Sequence, residues 1–156
     1  MRQKFFGGVI MRKIFLCLTI IFAFVVSSSA DVKTFGPLSV ESPSGWTASQ
    51  QGSAVVIKSL RSNASVTVAV NPMGEASLGD IAGKLCEQMN GRDLERDSDG
   101  DYTFWFTNHA GAECFALLTD SGDGRYILMS AAGLETEDER IRSEIEAIID
   151  SLEWNE

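Results

Sequence analysis

His109 is the only histidine among the 156 residues, and it stands in an Asn-His-Ala-Gly stretch that reads as a turn. Nucleophilic catalysis by a Ser/His/Asp or Cys/His set needs a base within reach of the nucleophile and a third group orienting that base. A turn histidine has no rigid element to hold it, so His109 reads as an exposed loop residue. Zinc chemistry meets the same obstacle, because one His and two distant Cys do not supply three good ligands. Asp97-Ser98-Asp99-Gly100-Asp101 offers alternating carboxylates, the hard oxygen donors that calcium takes. Its glycine comes at the fourth position rather than the sixth, and Asn108 stands at the twelfth, where an EF-hand has Glu. Asp-Gly between two strands is a strong hairpin signal, and that reading is preferred. An ion or ligand held by Asp97, Asp99 and Asp101 is the alternative. The glycines are scattered at turns and form no phosphate loop or dinucleotide fingerprint. The 22 acidic residues single out no carboxylate pair for glycoside hydrolysis. No catalytic or metal residue is assigned, no cofactor is implied, and the chain reads as a non-enzyme.

Two further residue types carry weight. Cys86 and Cys114 are candidates for a disulfide closing a loop of 29 residues, worth about 3.6 kcal/mol in the chain-entropy view. Two separate buried thiols are the competing reading, since both cysteines fall at apolar-face positions. In the run Tyr102 to Thr107, Trp105 shares a face with Thr103 and Thr107, while Tyr102, Phe104 and Phe106 share the other. A large core residue under a helix is the commoner role of such a Trp. A ligand or partner surface is the other.

The elements that must position these residues follow from periodicity. Asp101 to Gly133 carries three apolar runs broken at Asn108–Gly111 and Asp120–Gly124, the pattern of an antiparallel meander. Cys114, Ala116 and Leu118 alternate with Phe115 and Leu117, so both faces are apolar and a sheet covered on both sides is expected. Upstream, Asp31 to Pro37 reads as a lead-in segment and Leu38 to Glu41 as the start of a strand. Pro43-Ser44-Gly45-Trp46 is a turn. Ala54 to Leu60 and Ser65 to Asn71 form a hairpin in which Val66, Val68 and Val70 alternate with Thr67 and Ala69. Ser77 caps a helix with the stripe Leu78, Ile81, Ala82, Leu85, Cys86 and Met89, stopped by Asn90-Gly91 as a left-handed C-cap. Arg92 to Asp97 is a short, weak strand. A second helix starts in a Thr136/Glu139 capping box and buries Ile141, Ile145, Ile148, Ile149 and Leu152. Asp138 and Arg142 make an i,i+4 pair on it, and Trp154 folds back over the sheet just past its end. Two single-striped helices and one sheet with two apolar faces give an α+β, three-layer α/β/α sandwich with a mainly antiparallel sheet.

The first thirty residues belong to a different category. Arg12 and Lys13 precede an uncharged run from Ile14 to Val26 and the small residues Ser27-Ser28-Ser29-Ala30, the layout of a secretory signal peptide cleaved after Ala30. That run of thirteen is too short to cross a bilayer comfortably. Met11 is a tidier start than Met1. Residues 31–156 then form a single domain in the periplasm or outside the cell, with no stable membrane insertion. Four of the 13 Lys and Arg, and none of the 22 acids, lie before Asp31, leaving a net charge of −13. Such a field argues against nucleic acid as a partner.

The order of elements resembles the PsbP-like fold and, within it, small bacterial envelope proteins of the DcrB kind. The residues that carry the resemblance are Pro43, Gly45 and Trp46, the strand pattern of Tyr102 to Ala132, and Ile148 to Trp154. It spans nearly all of residues 31–156 and implies an α/β/α sandwich used for protein association. Proteins of the DcrB kind are often lipid-anchored, whereas Leu16 stands before Cys17 where a lipobox has a small residue. The function expected is a non-enzymatic interaction module whose partner is another envelope protein. A small-ligand or ion-binding envelope protein, using Trp105 or the Asp97–Asp101 turn, is the alternative.

Overall fold

The computed structural model describes residues 31–154 and the backbone of Gln3 and Lys4. The expected signal segment and the Met11 start lie outside the described residues. In chain order the strands begin with β1 (Gln3–Lys4), β2 (Asp31–Phe35), β3 (Leu38–Ser42), β4 (Trp46–Gln51), β5 (Ala54–Ser59) and β6 (Ser65–Pro72). Helix α1 (Leu78–Gln88) follows, then β7 (Arg92–Arg96), β8 (Tyr102–Thr107), β9 (Glu113–Asp120) and β10 (Arg125–Ala132). Helix α2 (Glu139–Ser151) and the short β11 (Glu153–Trp154) are the last of the described elements.

Hydrogen bonding arranges these into a seven-stranded antiparallel sheet of order β4-β5-β6-β10-β9-β8-β7 and a small sheet of order β1-β11-β3-β2. The meander is present as expected, with Trp105 opposite Phe115 and Leu117 opposite Met129. Side-chain alternation sends Phe104, Phe106, Cys114, Ala116 and Leu118 to α1 on one face. Val66, Val68, Leu117, Met129 and the isoleucines of α2 meet on the other. The sheet is therefore the middle layer of an α/β/α sandwich. Coverage is uneven. Helix α1 lies over β7, β8 and β9, while Thr47 and Ser49 of β4 are exposed on that side and Val56, Thr67 and Ala69 are half-buried. The alternation of Val with Thr and Ala along β6 is the sequence trace of this wetter half.

Several local expectations are corrected. The lead-in segment is strand β2, paired residue for residue with β3, and β4 follows the Pro43–Trp46 turn directly. These polar strands lack an alternating signal because each sits at a sheet edge. Helix α2 is capped by Asp138, which accepts from the amides of Arg140 and Ile141, while Thr136 Oγ1 accepts from the Asp138 amide before the helix starts. A carboxylate one residue before the helix reaches two free amides, so it displaces the Thr136/Glu139 box. Arg142 donates to the Thr136 carbonyl rather than pairing with Asp138, and the i,i+4 pair that does form joins Arg140 and Glu144. The Asn90-Gly91 stop at the end of α1 is present as expected, with Asn90 the left-handed residue at φ 48°. Gly91 is needed for closeness: a Cβ there would lie 2.8 Å from Cys86 Sγ and 2.9 Å from Phe104 Cδ2.

The Pro43-Ser44-Gly45-Trp46 turn is locked to α2. Trp46 is buried, and its indole N–H donates to Glu144 Oε2 at 2.7 Å. Arg61 Nη2 donates to both oxygens of the same carboxylate, at 2.8 and 2.9 Å. Its guanidinium also lies against Gly45, where a Cβ would come within 3.0 Å of Arg61 Cζ. Gly45 takes φ 85°, a conformation that L side chains rarely adopt. The turn signature is thus the docking piece that ties the first hairpin to the terminal helix.

Candidate functional site

Trp105 projects from β8 on the α2 side of the large sheet, the face it shares with Phe115 and Leu117. It is half-buried and belongs to neither apolar cluster of the fold among the described residues. Its main ring neighbour is Phe115 on β9, directly across the ladder, with centroids 5.2 Å apart in an edge-to-face arrangement. Thr103 and Thr107 flank it along the strand. Arg92 stands opposite Trp105 on β7, and Glu113 stands opposite Thr107 on β9. The Arg92 guanidinium donates to the Glu113 carboxylate, so an ion pair strides across β8 beside the indole. Trp105 is thus half-buried rather than fully enclosed, one half of an aromatic pair with a charged border. Near it, β7 is exposed along its whole length, with Leu94 41% exposed and Asp93 in the left-handed region at an irregularity in the ladder. Charge and irregularity at such an edge discourage indiscriminate strand pairing.

Asp97, Asp99 and Asp101 come together in the β7–β8 turn. Asp97 Oδ1 accepts from the amides of Asp99 and Asp101, which is the chemistry of an Asx turn. Gly100 supplies φ 94°. Burial raises the Asp101 pKa; a hydrogen bond from Thr119 opposes the shift, and the charges of Asp97 and Asp99 reinforce it. No group of three or more His, Cys, Asp or Glu among the described residues is arranged to hold a metal ion. His109 is exposed in the β8–β9 turn. There Asn108 Oδ1 takes the amides of Ala110 and Ala112. Cys86 and Cys114 share the apolar cluster beneath α1 as two free thiols. Burial raises both thiol pKa values, keeping them protonated and poorly nucleophilic at neutral pH.

One feature lies outside every sequence expectation. Between the small sheet and the rim of the large one is a cleft of about 260 Å³. Phe35 and Leu38 wall it from the β2–β3 turn, Val68 and Val70 from β6, and Trp154 from β11, with Arg125 at its mouth. The Arg125 guanidinium sits 5.3 Å from the centre of the Trp154 ring. The only sequence signal for this cleft was the Trp just past the last helical turn.

Neither a protein-family model nor a curated protein sequence matches the chain. Among solved structures, the fold is similar to the solution structure of cyanobacterial PsbP (CyanoP) from Synechocystis sp. PCC 6803. The match has a TM-score of 0.56 and 15% identity, and covers 85% of this chain and 96% of that one. The architecture is therefore PsbP-like, as the element order implied. No helix among the described residues is long and apolar enough to cross a membrane.

Proposed function

We propose that this chain is a non-catalytic association module of the cell envelope, exported by its N-terminal segment and related to proteins of the DcrB kind. The Trp105–Phe115 surface is its docking site for another envelope protein. The observation that carries this reading is the position of Trp105: a large aromatic side chain that belongs to neither apolar cluster, half-buried and set edge-to-face against Phe115. Folding buries most of the indole, and a partner that covers the part still open to water removes further apolar surface. Aromatic anchors ringed by charged groups are what binding hot spots are made of. The Arg92–Glu113 pair supplies such a border on one side.

The test is capture from envelope extract by the wild-type chain and by Trp105→Ala, both confirmed as folded. Wild type is expected to retain a partner through washing. The variant, losing about 2 kcal/mol or more of contact, releases it at least thirtyfold more readily. Equal retention by both proteins sinks the assignment of the site to Trp105.

A further inference from the structure

We propose that the cleft between the two sheets binds a small amphipathic carboxylate, an acyl or arylalkyl acid of about ten non-hydrogen atoms. The size follows from volume. A dry apolar cavity of about 150 Å³ takes benzene, so 260 Å³ has room for a body of roughly eight carbons and its headgroup. Most of the lining suits an apolar body: Phe35, Leu38, Val68, Val70 and the Trp154 ring offer no charge, and Gln50 and Ser53 add only neutral polar groups. The headgroup preference follows from Arg125. Its Nε and Nη2 both donate to one oxygen of Asp123, Oδ2. A guanidinium has five N–H groups, so Nη1 and one proton of Nη2 are left without a partner among the described residues. Asp123 is in turn satisfied by Ser121 Oγ, which donates to its other oxygen. The Asp123 contact and the Trp154 ring fix the guanidinium's orientation at the mouth. A carboxylate can therefore take the free edge of Arg125 in the planar, two-point fashion that Arg favours. Among the described residues Asp123 is the anion whose charge acts on Arg125, and it weakens the attraction without blocking the free N–H groups.

The experiment is an NMR titration of the purified protein, expressed from its complete reading frame, with octanoate and separately with 1-octanol. The Trp154 indole and the Val68 and Val70 amides are followed. Saturable shifts at these positions with a Kd of about 1 mM or below are expected for octanoate, a reasonable range for so few atoms. Octanol, with the same body and no charge, binds at least fivefold more weakly. Arg125→Gln weakens octanoate at least tenfold and leaves octanol unchanged. Val70→Trp, which fills the cleft, abolishes both. The proposal is overturned if octanoate moves none of these resonances at 10 mM, or shifts Trp105 in their place. It is equally overturned if Arg125→Gln binds octanoate like wild type, or if octanol binds as well as octanoate. Apart from a shift at Trp105, which would report ligand binding at that surface, these outcomes leave the Trp105 reading untouched.

Discussion

Trp46 and Glu144 lie 98 positions apart in the chain, yet the indole N–H of one donates to the carboxylate of the other at 2.7 Å. Arg61 and Arg140 converge on the same carboxylate, at 2.8 and 3.1 Å. The contact fastens the Pro43–Trp46 turn, the first hairpin and the terminal helix at one point.

Glu144→Ala removes the shared acceptor and leaves a buried indole N–H unpaired. A loss of about 2 kcal/mol is expected, within the range for hydrogen bonds to charged groups, measured by urea unfolding. Trp46→Phe combined with Glu144→Ala in a double-mutant cycle is expected to show a coupling of about 1 kcal/mol. Additive effects would mean that the two side chains merely lie close.

The same carboxylate sets a pH dependence. Burial alone would raise the Glu144 pKa, but the donors from Trp46, Arg61 and Arg140 outweigh it and hold it below the ordinary value. A depressed folded-state pKa contributes stability that is fully present above the unfolded value, near 4.5. That contribution is lost as pH falls through the folded value. Glu144→Gln should therefore lower the melting temperature at pH 7 and converge on wild type in acid, as the carboxylate protonates. Asp101 has the opposite sign, its pKa being raised by burial and by its acidic neighbours. Asp101→Asn is expected to raise the melting temperature at pH 7, with the gain vanishing in acid. Parallel pH–melting curves for either variant and wild type would refute the assignment.

Two glycine substitutions of identical chemistry are expected to act with opposite signs. A Cβ at Gly91 meets Cys86 Sγ and Phe104 at under 3 Å, so Gly91→Ala forces the α1 cluster apart at a cost of about 1–3 kcal/mol. Gly83 lies within α1 with nothing near its Cβ direction, and Gly83→Ala stabilises by about 0.5–1 kcal/mol. Thermal unfolding of the two variants side by side checks both.

The buried thiols make a chemical prediction. Cys86 and Cys114 should resist alkylation in the native protein and both accept label in denaturant without reductant. Failure of both to label in denaturant, with labelling restored by reductant, would instead establish the disulfide that their spacing in the chain suggested.

The parts of this architecture written in strong alternation were legible from residues alone. Phe104, Phe106, Cys114 and Leu118 on one face, with Leu117 and the α2 isoleucines on the other, dictate a sheet between two helices. Strands β2 and β4 were not legible, because edge strands such as Asp31–Phe35 are half in water and carry polar side chains with no clean period. The cap of α2 was misplaced by two residues because Thr136 and Asp138 are both good caps, and the choice depends on where the loop from Gly133 arrives. Trp105 illustrates the harder limit. Period two says which face a strand residue occupies, but not how far along that face a helix extends. The cleft at Arg125 joins five segments distant in the chain, and no local pattern could announce it.

The most direct test of the association surface is photo-crosslinking in intact cells, with the reactive residue placed at Thr107 beside Trp105 and, as control, at Thr47 on the opposite face near the other edge of the sheet. Both positions are exposed. The account predicts a discrete crosslinked product of defined mass at Thr107 that disappears in the Trp105→Ala background, and none at Thr47. A product at Thr47 alone, or one at Thr107 that persists without the indole, would contradict it.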